Sequence, residues 1–253
     1  MDLMIFLSGL LIGSFLNVCI YRIPRKESVI RPGSRCPVCR TRLSPQELVP
    51  VLSYIFLRGR CRYCNQPIPW RYPAVELLTA LLICMAYKHY GTGFAAIYYT
   101  LLICILIAAA AIDIEHMIIP DGLLLTGCSA ALLFNIFGVG ISFADGMLGF
   151  ILGGGMLALI AVASFFIFDK EGLGGGDIKL AATIGLYLGW RLTALTLVLS
   201  VYAGGLTGLL LMILKIKKRG EYIAYGPFLA VGSLIAMFYG EAIINWYLSS
   251  FWY

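Results

Sequence analysis

Residues 94–113 read FAAIYYTLLICILIAAAAID, nineteen residues without a charge and then an aspartate. An uncharged run of this length matches the roughly 20 residues that a helix needs to cross a bilayer. It has no polar face to turn toward water, so it is not the amphipathic helix of a soluble globule. Similar runs recur at 1–20, 73–87, 123–139, 143–168, 178–190, 192–214 and 227–248. Together they predict an all-α polytopic membrane protein with about eight spanning helices, of which 178–190 is short for a full crossing. The rest of the composition agrees. The 253 residues are 60% hydrophobic and 13% charged, with a mean hydropathy of +0.90, which excludes a water-soluble enzyme.

One long polar segment, 21–72, separates the first two runs. It carries Pro24, Pro32, Pro37, Pro45, Pro50, Pro67 and Pro69, so it cannot span as a helix. Eleven of the nineteen Lys and Arg lie in it, between Arg22 and Arg71. The net charge of +6 therefore reads as an orienting signal for membrane spans, with the lipid bilayer rather than a nucleic acid as the partner. Eight spans with both termini outside put seventeen basic residues in the cytoplasm, among them Lys170, Lys179, Lys215, Lys217, Lys218 and Arg219; only Lys88 and Arg191 fall outside. No basic residue precedes the first run and Arg22 and Arg25 follow it, the reverse of a signal peptide, so it reads as a retained span. The expected organisation is a first helix over 1–20, a cytoplasmic segment over 21–72 and a membrane core over 73–253.

The cytoplasmic segment holds Cys36-Pro-Val-Cys39 and Cys61-Arg-Tyr-Cys64, two C-x2-C pairs 21 residues apart. Four thiolates in this spacing suit one tetrahedral structural Zn²⁺, and a reducing compartment disfavours disulfides. The surrounding Arg35, Arg40, Arg42, Arg60 and Arg62 are expected to help ionise the sulfurs. A thioredoxin-like redox pair is the rival, but no βαβ pattern surrounds either motif. The other four cysteines, Cys19, Cys84, Cys104 and Cys128, sit singly in apolar runs as small hydrophobes.

Two acids adjoin spans on the same predicted face: Asp113, at the end of the third, and Asp177, opening the sixth in Gly172-Leu173-Gly174-Gly175-Gly176-Asp177-Ile178-Lys179. Ionisable groups at the edge of hydrocarbon are costly, which makes function the default reading. Two carboxyls sharing a low-dielectric site divide one proton and can act as acid and base on a shared water, as aspartic proteases do. The plain alternative is that both are helix-end residues, with Asp177 an N-cap. Spacing alone does not bring them together. There is no His-Glu-x-x-His, and the chain has only His89 and His116.

The chain resembles the bacterial type IV prepilin peptidases, aspartic proteases of the GxGD class. The resemblance rests on Gly13-Ser14-Phe15-Leu16-Asn17-Val18, Tyr21-Arg22-Ile23-Pro24, the two cysteine pairs, and Arg71-Tyr72-Pro73-Ala74-Val75-Glu76. It continues through Asp113 to Pro120-Asp121, Gly174-Gly175-Gly176-Asp177-Ile178-Lys179, and Tyr225-Gly226-Pro227-Phe228. It implies that Asp113 and Asp177 are the catalytic pair, supported by Gly174, Gly176, Lys179, Pro120 and Asp121. It also implies cleavage of a short basic leader from prepilins or pseudopilins at the cytoplasmic face of the inner membrane, typically between Gly and Phe. N-methylation of the new terminus with S-adenosylmethionine would follow. Gly59 and Glu76 are associated by resemblance with methylation, although Gly59 equally reads as a turn residue and Glu76 as a snorkelling interfacial acid. A peptidase without methyltransferase activity, a non-enzymatic assembly factor and a proton-coupled transporter are the alternatives.

Overall fold

The computed structural model describes residues 2–168, 173–216 and 223–251. Gly172, Lys170, Lys217, Lys218 and Arg219 lie outside the described residues. Each predicted apolar run falls on a helix, with ends displaced by a few residues at most, and β structure among the described residues is confined to two isolated bridges. The chain divides into two units, Met1–Ala96 and Ile97–Tyr253.

In the first unit, α1 (Asp2–Arg22) packs along α3 (Arg71–Tyr90). Small residues allow the approach: a Cβ on Gly9 would lie 2.6 Å from the Ala80 Cα, and one on Gly13 2.7 Å from the Glu76 Cα. One turn further, Asn17 Nδ2 donates to the Tyr72 carbonyl at 3.0 Å. Between these helices run a 3₁₀ turn at Pro45–Leu48, the short α2 (Leu52–Phe56) and two knuckles that repeat each other at an offset of 25 residues. The bridge between Arg35 and Arg42 corresponds to that between Arg60 and Pro67. Cys36 N–H donates to Thr41 O at 3.0 Å and Cys61 N–H to Gln66 O at 2.9 Å. Arg40 and Asn65 turn the chain with φ of 58° and 56°. The buried Arg22 fastens the insert to the end of α1, donating to Ser28 O at 2.9 Å and Gly33 O at 3.3 Å.

The second unit contains α4 (Phe94–His116) from Ile97 onward, α5 (Asp121–Ile136), α6 (Phe143–Phe168), α7 (Gly175–Ile213) and α8 (Gly226–Phe251). Two predicted spans merge in α7, which is broken at Gly189 by φ 74°, ψ 173°. The break is a reversal. A Cβ on Gly153 would meet both the Ala181 carbonyl and, at 3.1 Å, Thr193 Cγ2; in a straight helix those residues would stand about 18 Å apart. The arm 175–188 and the arm that follows therefore lie on the same stretch of α6, and the expected short sixth span is the first arm, only about 21 Å long. Its end is buried, and a helix end leaves carbonyls without partners. Tyr98 Oη donates to Leu186 O at 2.9 Å and to Tyr187 O at 3.3 Å, and Asn135 Nδ2 donates to Leu186 O at 2.9 Å.

Helices α1, α4, α6, α7 and α8 are long and apolar enough to cross a membrane; α5 is shorter but apolar. The chain is a multi-pass membrane protein.

Candidate active site

The segment after α4 and the start of α7 are held together by two contacts. A Cβ on Gly176 would lie 3.0 Å from the Ile119 Cβ, so the first turn of α7 fits against the segment after Asp113 because Gly176 has no side chain. Lys179 Nζ donates to Asp121 Oδ1 at 2.7 Å. Both partners are more than half exposed, so this ion pair pins two segments more than it stabilises the fold. Pro120 stands immediately before α5 in extended geometry, φ −66°, ψ 129°, and its carbonyl accepts the Leu123 N–H at 3.1 Å. Gly174, Gly176, Pro120, Asp121 and Lys179 thus form one connected frame.

Asp113 lies in the last turn of α4, three residues before its end, and is 5% exposed. Its Oδ2 accepts the Gly226 N–H at 2.9 Å. A Cβ on Gly226 would sit 2.8 Å from that oxygen, so only glycine allows the approach. Pro227 in the first turn of α8 suits a helix start, and the partial positive charge of that helix end faces the carboxylate.

Asp177 occupies the first turn of α7, where the N-cap is Gly174. The N-cap alternative is therefore corrected: the Asp177 N–H donates to Gly174 O at 3.1 Å, and the Asp177 carboxylate accepts a hydrogen bond back from the Gly174 N–H. Its Oδ1 is buried with no hydrogen-bond partner among the described residues. The carboxyls of Asp177 and Asp113 are close enough for their charges to interact, and Tyr225 feels Asp177 in the same way. Tyr225 Oη lies 2.7 Å from Ser200 Oγ. The pair is thus two acids at two helix N-termini, each taking a backbone N–H, with one oxygen of Asp177 left open.

Gly226, Tyr225 and Ser200 were missed as members of this cluster. The stretch from Tyr225 to Phe228 stood out in the sequence without a role, and no residue type announces that its backbone N–H will meet a carboxylate. His116 ends α4 and is half-buried, with Nε2 unpartnered among the described residues.

In the first unit the sulfurs of Cys36, Cys39, Cys61 and Cys64 all lie within 4.8 Å of one another, and Cys36 and Cys64 are 3.8 Å apart. Four sulfurs about 2.3 Å from a central Zn²⁺ would be about 3.8 Å apart, so the cluster fits one tetrahedral ion. Hydrogen bonds from the Thr41 side chain and backbone push the Cys39 thiol down to about 6, and backbone N–H groups of Cys64 and Tyr63 lower Cys61. Thr41, not the arginines expected from sequence, lowers the Cys39 thiol. At Cys64 the Gln66 N–H pulls downward, but desolvation and the three neighbouring thiols prevail and push it up to about 11. Four thiolates cannot coexist at this spacing without a cation between them.

Glu76, 8% exposed, accepts the Val51 N–H on Oε2 at 2.7 Å; it is a fixed buried carboxylate rather than a snorkelling surface acid. Gly59 adopts φ 67°, and a Cβ there would lie 3.0 Å from Tyr54 Oη. It is a turn residue, and its missing side chain also makes room for a tyrosine.

Residues 7–90 match the bacterial peptidase A24 N-terminal domain and residues 100–209 the type IV leader peptidase family. A prepilin leader peptidase/N-methyltransferase of Aeromonas hydrophila is 36% identical over 98% of this chain and 94% of its own length. One of Pseudomonas aeruginosa is 35% identical over 96% and 91%, and one of Bacillus subtilis 36% identical over 96% of each. No solved structure matches the chain. With both units matched in order and the relatives aligned almost end to end, the chain belongs to the prepilin leader peptidase/N-methyltransferase family.

Proposed function

We propose that this chain is a membrane-embedded aspartic endopeptidase that removes the short basic leader of type IV prepilins or pseudopilins, typically at a Gly-Phe bond, and then methylates the new N-terminus. The observation that carries the peptidase reading is the convergence of Asp113 and Asp177. One carboxylate takes a proton from water as the water oxygen bonds to the scissile carbonyl carbon. The protonated partner donates to the carbonyl oxygen as charge develops there. Collapse of the adduct breaks the C–N bond, and the proton first taken from water passes to the leaving amine. The open Asp177 Oδ1 is a place for that water. Gly226 fixes Asp113 for the whole cycle.

The distribution of basic residues supports a site at the cytoplasmic face of the inner membrane, where a substrate with a basic leader and an apolar helix delivers its junction. One structural Zn²⁺ held by Cys36, Cys39, Cys61 and Cys64 would order the insert. In the methylation step the amine lone pair forms an N–C bond while the C–S bond of the sulfonium donor breaks, its electrons staying on sulfur; the amine proton leaves to water. Gly59 and Glu76 are assigned to this half.

The test is reconstitution from the purified chain, a prepilin and S-adenosylmethionine in detergent micelles. Mass spectrometry is expected to show leader loss and one added methyl on the mature N-terminus. No cleavage by folded protein defeats the peptidase reading in favour of an assembly factor or transporter; cleavage without methylation leaves a peptidase only. Gly226→Ala is expected to lower kcat about 10²-fold with little change in KM, because the added methyl displaces Asp113 by a fraction of an ångström to an ångström. Steady-state kinetics on a folded variant check this.

A further inference from the structure

A cavity of about 440 Å³ opens in the first unit between α1, α3 and the knuckles. This volume lies within the range of about 300–1,000 Å³ typical of small-molecule sites. Its wall contains a buried acid and a buried amide. Glu76 is held by the Val51 N–H and by a hydrogen bond to Ser14. Asn17, 2% exposed, gives its Nδ2 to Tyr72, while its Oδ1 has no donor among the described residues. Glu47, also in the wall, has a second unpartnered acceptor, Oε1. Val51, which holds Glu76, is kept at φ 61°, a conformation that a β-branched side chain opposes. Buried acceptors without donors favour a ligand that brings donors or positive charge. Three tyrosines, Tyr21, Tyr54 and Tyr72, contribute flat apolar surface, and Arg40 and Arg62 contribute positive charge.

We propose that this cavity binds the methyl donor, with the Glu76 carboxylate serving its cationic sulfonium end. S-adenosylmethionine matches the wall group by group. Its sulfonium and ammonium suit Glu76 and the Asn17 carbonyl, its adenine suits the tyrosine faces, and its carboxylate suits the arginines. The assignment rests on the methyltransferase half of the reading above and adds a place and a charge partner for the donor. It also gives Gly59 a physical role, since any side chain there would press on Tyr54, a wall residue.

The test is equilibrium binding of S-adenosylmethionine and of S-adenosylhomocysteine, which lacks the sulfonium charge, to the purified full chain without prepilin. The unaltered chain is expected to prefer the charged ligand. Glu76→Gln, which keeps an acceptor for the Val51 N–H, is expected to reduce that preference at least tenfold. Leu57→Trp, which fills the cavity from its wall, is expected to weaken both ligands at least tenfold. Zinc content and melting temperature report on integrity. Photolabelling of the unaltered chain with 8-azido-S-adenosylmethionine reads the site without a variant: label between residues 14 and 76 supports the proposal, and label confined to 97–251 overturns it. Binding within twofold of the unaltered chain in both variants overturns the location alone. Failure of the unaltered chain to bind either ligand overturns the methyltransferase reading with it.

Discussion

Asp113→Asn and Asp177→Asn are each expected to lower leader cleavage at least about 10³-fold while leaving the fold intact. Asparagine keeps the size and shape of the side chain, and its carbonyl oxygen still accepts the Gly226 N–H that Asp113 Oδ2 accepts at 2.9 Å. What it loses is the ability to take or give a proton, and positioned acid–base groups contribute about 10²–10⁴-fold each. Because the carboxyls act on one water, the double variant should be little worse than either single one; effects of residues that work as a unit are not additive. Initial rates of leader release in detergent, beside melting curves of the same samples, check the result. A structural helix-end role makes a different forecast. Loss of a charge in the first turn of α7 would alter stability by about 0.3–1 kcal/mol and leave cleavage untouched. Cleavage within tenfold of the unaltered chain by either variant would remove that aspartate from the chemistry.

Where the sequence spoke clearly, the signal was local. The apolar runs located the helices because a lipid-facing helix must be apolar along about 20 consecutive residues, and the C-x2-C spacing located the knuckles because each is closed by hydrogen bonds within six residues. The reversal in the seventh helix was legible as a division near residue 190, with Gly189 as the residue that allows it. Features made by residues distant in the chain were not legible. Gly226 reaches Asp113 across 113 residues, and Asn135 and Tyr98 meet the same buried carbonyl from separate helices. The cavity beside Glu76 is likewise a product of helix packing at Gly13, where the close approach brings α3 against α1. Asp177 shows the limit from the other side: both a cap and a catalytic acid put an aspartate near a helix start, and only the structure shows that Gly174, not Asp177, stands at the N-cap.

Removing the metal from the four-cysteine cluster should have the largest structural effect. Between residues 23 and 70 the only buried residues are Cys36, Pro50 and Cys61, so the insert has no apolar core of its own and two of its three buried side chains belong to the four-cysteine cluster. A segment of this size without a core depends on its metal to fold. The unaltered chain is expected to carry one zinc, and Cys39→Ser combined with Cys64→Ser to carry none. Limited proteolysis within 23–70 should then accelerate roughly tenfold or more, and methylation should be lost. The Arg22 bonds to Ser28 and Gly33 tether only the start of the insert, and the Val51–Glu76 bond a single point beyond it, so neither can replace the ion. Leader cleavage should stay within about tenfold, since Asp113, Asp177 and the N–H of Gly226 all belong to the second unit. Metal analysis, proteolysis rates and the two activities measured on one preparation decide it. Zinc-free protein whose insert resists protease as before would remove the structural role of the metal, and equal loss of both activities would show that the insert also organises the peptidase.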